Sequence, residues 1–245
     1  MHTSTHLSMK KSLRSPKGKL RFNEAHFSIA STKYDFATQA LSLGRDIHWK
    51  EELITLLPST SAPVCLDLAC GTGDLTFRLA DRYPEGRIIG LDLTEAMIER
   101  AKIRNIHTHV EFTIKDMCET GLADNSVDIV TGAYALRNAP DIYEALAEIH
   151  RIMKPGGTAA FLDFAKPKDR IPQILNYAML KVWGSFWGLS LHANPSIHGY
   201  ISESLKTFPH RQALKQAIET QGFTHFQNRP HFMGVMDILV FEKAD

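Results

Sequence analysis

Val64–Asp74 reads VCLDLACGTGD, and Ile88–Asp92 reads IIGLD. An apolar run closes on Asp67, opens into Gly71-Thr72-Gly73 and passes into a helix-like segment; a second apolar run then ends on an acid. This is the layout of a nucleoside-binding βαβ unit. Glycines allow a sharp turn and close approach of backbone to ligand, and the acid after the second strand can accept from two ribose hydroxyls. A dinucleotide fingerprint would carry a third glycine at position 76, where Thr76 stands. Asp67 and Asp74 around the turn would repel a pyrophosphate. The expectation is an acidic mouth suited to a cationic nucleoside, and S-adenosylmethionine has a sulfonium, an ammonium and a ribose.

Outward from this turn the pattern alternates. The spacing predicts a strand over Val64–Leu68, a helix over Gly73–Tyr83, a strand over Arg87–Leu91 and a helix over Thr94–Arg104. Strands follow at Val110–Ile114 and Val127–Ala133, then a helix over Ile142–Met153 stopped by Lys154-Pro155-Gly156-Gly157, then a strand over Thr158–Phe164. A last helix over Leu205–Gly222 and strands at Phe223–Phe226 and Met236–Phe241, one of them antiparallel, complete an α/β, Rossmann-like fold. It has a seven-stranded, mostly parallel sheet with helices on both faces. Residues 22–57 read as helical, and 58–63 as a loop. Residues 171–205 break the alternation with a crowd of apolar side chains, among them Trp183, Phe186 and Trp187. A core helix would explain such a run; its place after the fifth strand favours a helical lid lining an apolar pocket.

The length of 245 residues suits one domain, taken here as 22–245, behind a basic tail at 1–21. That tail holds Lys10, Lys11, Arg14, Lys17, Lys19 and Arg21 and no acid. It is expected to be flexible, with a targeting segment or attraction to an anionic membrane as competing readings. The balance of 28 basic and 27 acidic side chains supplies no field for nucleic acid. Cys65, Cys70 and Cys118 lack metal or disulfide spacing, so a reducing, cytoplasmic setting is expected. No metal site is expected either: His107 and His109 lack further ligands nearby.

Ligands of open α/β sheets bind beyond the carboxyl ends of the strands. Asp67 and the Gly71-Thr72-Gly73 turn follow strand one, Asp92 with Leu93 ends strand two, Asp116-Met117 follows strand three and Ala133-Tyr134 follows strand four. Asp116 could accept from an adenine amino group with Met117 packed on the ring, although a lone acid there is more often a turn residue. Strand four runs into Arg137 and Asn138 at the mouth of the site, while Asp141 is expected to cap the next helix. A guanidinium beside a sulfonium makes sense only where an anion, such as a phenolate or enolate oxygen, must be held.

AYALRNAPD at 133–141, KPGG at 154–157 with FLDFAKP at 161–167, FSIASTKYD at 27–35, LSLGRDIHWK at 41–50 and GYISESLKTFP at 199–209 resemble the ubiquinone/menaquinone biosynthesis C-methyltransferase family. These are the demethylmenaquinone and polyprenyl-benzoquinol methylases, with a class I methyltransferase fold. The resemblance covers about residues 25–240. It implies that Thr72, Asp92, Asp116, Met117 and Ala133 contact S-adenosylmethionine and that Tyr34, Arg137, Asn138 and Tyr200 face the quinol. His198 stands where the family often has Tyr, and Thr38 where it usually has Asn.

The implied reaction is methylation of an aromatic carbon beside a hydroxyl. Loss of the hydroxyl proton drives electron density to that carbon, and Arg137 suits the oxyanion. The proton could leave through water held by Arg137 and Asn138, or to His198, for which a loop position is an equal alternative. The 174–191 segment, with Trp183 and Trp187, would sheath a prenyl tail. A different small phenol or a phospholipid amine is an alternative substrate, and a dinucleotide oxidoreductase or a non-catalytic nucleoside-binding module are alternatives of another class. The partners this implies are a small lipid quinol and, beyond it, peripheral contact with the inner face of a membrane and a second copy of the chain as homodimer.

Overall fold

The computed structural model describes residue 9 and residues 11–245. The basic tail expected over 1–21 lies outside the described residues at positions 1–8 and 10.

Seven strands form one sheet in the order β3-β2-β1-β4-β5-β7-β6. They are β1 Val64–Leu68, β2 Arg87–Asp92, β3 Val110–Ile114, β4 Val127–Ala133, β5 Met153–Phe164, β6 Phe223–His231 and β7 Met236–Lys243. All neighbours are parallel except β7, which runs antiparallel to both β5 and β6. Strand order reverses between β1 and β4, so their carboxyl ends flank the crevice where such sheets bind ligands. β1 is buried on both faces, as a central parallel strand must be. Leu66 and Leu68 pack with Leu146 and Ile149 on one side, and Cys65 packs with Leu53, Leu75 and Leu79 on the other.

The helices are α1 Pro16–Ala30, α2 Tyr34–Leu41, α3 Asp46–Thr55, α4 Asp74–Arg82, α5 Glu95–Arg104, α6 Ile142–Ile152, α7 Arg170–His192, α8 Ser196–Thr207 and α9 Arg211–Thr220. Several boundaries differ from the sequence reading, among them that of β6, which runs on to His231 instead of ending at Phe226. The helix expected from residue 22 starts at Pro16: Ser15 accepts from Gly18 N at 3.2 Å, and proline is pre-organised for the first helical position. The 22–57 stretch is three helices, broken at Ser31–Lys33 and again where Leu43 and Gly44 take positive φ. Pro209 splits the single helix expected over 205–222 into α8 and α9. Strand β5 starts at Met153, opposite Val127, and the pairing register then jumps to Ile129–Thr158 around the glycines.

The 171–205 segment is helical, made of α7 and most of α8. The two pack closely because Gly184 and Gly188 face α8 and the turn before it. A Cβ on Gly184 would lie 2.4 Å from the His198 carbonyl oxygen, and one on Gly188 2.7 Å from that of Asn194.

Candidate active site

The β1 turn is built from left-handed residues. Ala69, Gly71 and Gly73 have φ of 52°, 57° and 87°, and Gly73 is the N-cap of α4. Asp92 at the end of β2 knits this turn together. Its Oδ2 accepts from Gly71 N at 2.9 Å and its Oδ1 from Thr94 N at 2.8 Å. Each carboxylate oxygen has two acceptor positions, so each keeps one for a ribose hydroxyl. Burial pushes the Asp92 pKa up. A cleft beside it is lined by Gly71, Leu93, Asp116, Met117 and Ala133 and is roofed by Leu20, Asn23 and Phe27 of α1. Asp116 is both the turn residue and the wall residue: its Oδ1 accepts from Cys118 N at 3.0 Å.

The turn acids do not form the free acidic mouth expected. Asp67 is fully buried and accepts from Thr76 Oγ1 at 2.6 Å and Thr131 Oγ1 at 3.1 Å, with burial pushing its pKa up to about 6. Asp74 is paired with Lys50 Nζ at 2.8 Å. Thr72 Oγ1 donates to Asp35 Oδ1 at 2.5 Å, and Arg104 Nη1 donates to Asp35 Oδ2 at 2.8 Å. Around these groups lies a polar cavity of about 110 Å³ that mixes Lys50, Arg78 and Arg104 with Asp35, Asp67 and Asp74. Charges of both signs suit a zwitterion, such as the amino-acid end of S-adenosylmethionine, beside a cleft suited to its nucleoside. The residues present therefore fit this cofactor. Gly73 lines neither the cleft nor the polar cavity; its site is filled by the Phe77 ring, 2.8 Å from where a Cβ would stand.

A third cavity, about 400 Å³, is mainly apolar, walled by Phe27, Ala37, Leu41, Phe164, Met179 and Trp183. Tyr34 and Tyr134 line all three cavities and so stand at their junction. Tyr134 holds a positive φ of 62°, an uncommon conformation for a residue with a side chain and one concentrated at functional sites. Its amide donates to Leu162 O at 2.6 Å, which holds the strand end in place.

Arg137, in a 3-10 turn after β4, is buried in the wall of the apolar cavity. Its guanidinium lies 5.2 Å from the Phe164 ring centre and 5.6 Å from that of Tyr200. Its Nη1 donates to Ser204 Oγ, and its Nε is 3.7 Å from Asp163 Oδ1, an ion pair without a hydrogen bond. The Tyr200 hydroxyl lies 2.7 Å from Asn23 Oδ1 and 2.9 Å from Asn138 Oδ1. Asn138 Nδ2 donates to Tyr134 O at 2.8 Å. The single Tyr200 hydroxyl hydrogen serves one of its two acceptors, Asn23 and Asn138, at a time, and Asn138 Nδ2 keeps a second N–H beyond the one that ties it to Tyr134 O. His198 is buried, not a loop residue; burial holds its pKa down at about 4, so it is a neutral imidazole. Among the described residues of this wall, only Arg137 Nε and His198 Nε2 are buried polar atoms without a partner.

Trp183 lines the cavity and donates from Nε1 to Leu41 O at 3.1 Å. Trp187 lies outside the lining and packs edge-on against Phe36 at 6.2 Å. Several contributors were not foreseen, Lys50, Arg78 and Arg104 of the polar cavity among them. Asn23 and His26 come from α1, and Asp46 accepts from the Tyr134 hydroxyl. Tyr134 itself had a signal, its place directly after strand four.

A seven-stranded sheet with one reversed strand, carrying a nucleoside cleft over the β1/β4 crevice, is the class I methyltransferase fold. Solved structures agree. A putative methyltransferase in complex with the Haloferax volcanii Trm112 activator superposes with a TM-score of 0.65 at 18% identity, covering 89% of this chain and 98% of that one. A profile of the ubiE/COQ5 methyltransferase family matches residues 17–242, and the chain belongs to this family. It is 34% identical over 202 residues to a demethylmenaquinone methyltransferase of Lactobacillus johnsonii, covering 80% of this chain and 82% of that one. It is 32% identical over 226 residues to a 2-phytyl-1,4-naphtoquinone methyltransferase of Thermosynechococcus vestitus, covering 90% and 98%.

Proposed function

We propose that this chain methylates a ring carbon of a prenylated quinol, using S-adenosylmethionine, in respiratory quinone biosynthesis. The observation that carries the proposal is the pair Arg137 and His198, both buried and each with a side-chain nitrogen that finds no partner within the protein, in the wall of a mainly apolar cavity that meets the nucleoside cleft at Tyr34 and Tyr134. A hydroxyl on an apolar ring is a group that such a wall would match, an acceptor for the guanidinium that can also bond the imidazole. Leaving such groups unmatched costs about 1–3 kcal/mol each.

When bound, the cofactor supplies an electrophilic methyl group on a sulfonium. Asp92 and Gly71 orient its ribose, Asp116 and Met117 its base, and the polar cavity its amino-acid end. Tyr34 and Tyr134 fix the distance between the two ligands. Arg137 stabilises the oxyanion that forms as the hydroxyl proton leaves to water held beside Arg137 and Asn138. Once the ring carbon has taken the methyl group, its own proton leaves to water and the ring regains aromaticity. His198, neutral with its pKa held down at about 4 by burial, bonds the hydroxyl rather than taking its proton. Phe27, Met179 and Trp183 sheath the start of the tail. A prenylated quinol resides in a bilayer, so the reading places the enzyme at a membrane surface.

The test is methyl transfer from labelled cofactor to reduced and oxidised demethylmenaquinone, with the product located by mass spectrometry. A ring-carbon methyl on the reduced form alone is expected. Methylation at oxygen, or equal use of the oxidised quinone, would overturn the proposal.

A further inference from the structure

Helix α7 is apolar on its outer face as well as on its inner one. Ile171, Ile174, Leu175, Met179, Val182, Phe186 and Leu189 are between 44 and 73% exposed. At ~100° per residue all seven fall within one arc of about 140°, along a helix roughly 34 Å long. The opposite face, which packs on the protein, carries Leu180 together with Asn176, Gly184 and Gly188. A helix that buries one apolar face and turns seven further large apolar residues outward exposes a patch that a soluble surface does not need.

The patch continues past the helix. Phe36 and Leu43 on the adjacent 34–44 segment are also exposed, and the contact between Phe36 and Trp187 and the bond from Trp183 to Leu41 hold that segment against α7. Leu43, Met179 and Val182 belong both to this outer face and to the lining of the 400 Å³ cavity, so the cavity opens onto the patch.

The charge around the patch is mainly basic: Asp169 is exposed between Lys168 and Arg170, and Asp35, beside Phe36, is paired with Arg104. No acid occurs between Asp169 and Glu203. Lys168, Arg170 and Lys181 are exposed and make no ion pair among the described residues. Arg170 and Lys181 lie on the same flank of the apolar arc. An apolar stripe with a basic border is the surface that lies in the interface of an anionic bilayer.

We infer that the outer face of α7, extended by Phe36 and Leu43, docks on an anionic lipid bilayer, so that the substrate enters the cavity directly from the membrane. This rests on the prenylated-quinol reading for the route of entry but not for the docking itself. Among the described residues no helix is long and apolar enough to cross a membrane, so the contact is with the surface. A second copy of the chain seated on the same face would cover the cavity mouth and leave the basic border unmatched.

The test is flotation of the full chain with vesicles of phosphatidylcholine alone or with phosphatidylglycerol, for the wild type and a triple variant Ile171→Glu, Leu175→Glu, Leu189→Glu. None of the three residues lines the cavity. Expected is wild-type binding that is stronger on the anionic vesicles, falls with salt and drops at least tenfold in the triple variant. The variant should melt near the wild-type temperature and turn over a short-tailed soluble quinol within about twofold of wild type. Equal vesicle binding by the triple variant would overturn the inference. So would a wild-type dimer, indifferent to vesicles, that the variant converts to monomer. If neither protein methylates the short-tailed quinol while vesicle binding behaves as expected, the substrate reading fails and the docking stands.

Discussion

The Tyr134 hydroxyl donates a 2.5 Å hydrogen bond to Asp46 Oδ1, and that carboxylate is the first link of a buried chain. Asp46 Oδ2 accepts from Lys50 Nζ at 2.8 Å, and the same ammonium reaches Asp74 Oδ2 at 2.8 Å. Tyr134 stands at the meeting of the three cavities, whereas Asp74 stands at the polar end. The position of the aromatic ring at the junction of the cavities is therefore tied to an ion cluster on α3 and α4. Replacing Tyr134 by Phe should keep the ring but release it. We expect kcat to fall about tenfold with a smaller change in the affinity for S-adenosylhomocysteine. An unchanged kcat would show that the hydroxyl has no positioning role.

Asp92 ties the β1 turn to Thr94, and the proposed function gives it a ligand contact as well. Asp92→Ala should weaken S-adenosylhomocysteine binding at least tenfold by calorimetry. It should also lower stability by about 2–4 kcal/mol, because two backbone amides lose a charged acceptor. Asp92→Asn, which keeps one acceptor, should recover part of the stability and little of the affinity. Unaltered affinity in Asp92→Ala would remove the nucleoside site from this cleft.

Acidity should loosen the roof of the cavity. Burial holds His26 at about 3 and His198 at about 4, against an ordinary value near 6.5. The unfolded chain therefore binds more protons between about pH 6.5 and those values, and stability falls as pH falls through this window. For His198 the slope approaches about 1.4 kcal/mol per pH unit below its unfolded pKa. Asp67, raised to about 6 by burial, works the other way: its contribution is present below its unfolded pKa near 3.8 and is lost as pH rises through about 6. Melting temperatures between pH 7 and 5 should thus fall less in His198→Gln than in wild type and more in Asp67→Asn. Parallel slopes in all three proteins would contradict these assignments.

The two tryptophans of α7 should part company. Trp183 lines the cavity, so Trp183→Ala should raise KM for a long-tailed quinol more than for a tail-free one, through lost apolar burial of about 25 cal/mol per Å². Trp187 packs on Phe36 outside the lining, so Trp187→Ala should lower stability without a preference for tail length. Tail-dependent loss in Trp187→Ala alone would invert the assignment.

The parts of this fold that depend on neighbours in sequence were legible. Strand periods, the glycine turn and the acid closing β2 all fall within one βαβ unit, and Asp141 caps α6 through the amides of Tyr143 and Glu144 as anticipated. What depends on distant partners was not. The acidic mouth disappears because Lys50 lies 24 positions before Asp74. The role of α1 was hidden because its inward residues, Lys19 and Asn23, are polar, and Asn23 meets its partners Asn138 and Tyr200 at separations of 115 and 177 positions. For α7 the apolar crowd was plain, but composition alone does not say which face of a helix turns outward; Gly184 and Gly188, pressed against α8, decide it.

The central claim is that Arg137 stabilises an oxyanion on the substrate. The measurement that tests it most directly is single-turnover methyl transfer to a reduced prenylated naphthoquinol by wild type, Arg137→Lys and Arg137→Ala, with S-adenosylhomocysteine affinity measured alongside. The account predicts a loss of about a hundredfold or more in rate for Arg137→Ala, partial recovery in Arg137→Lys, and cofactor affinity within a few-fold of wild type. A normal rate in Arg137→Ala, with the protein folded and the cofactor bound, would contradict it.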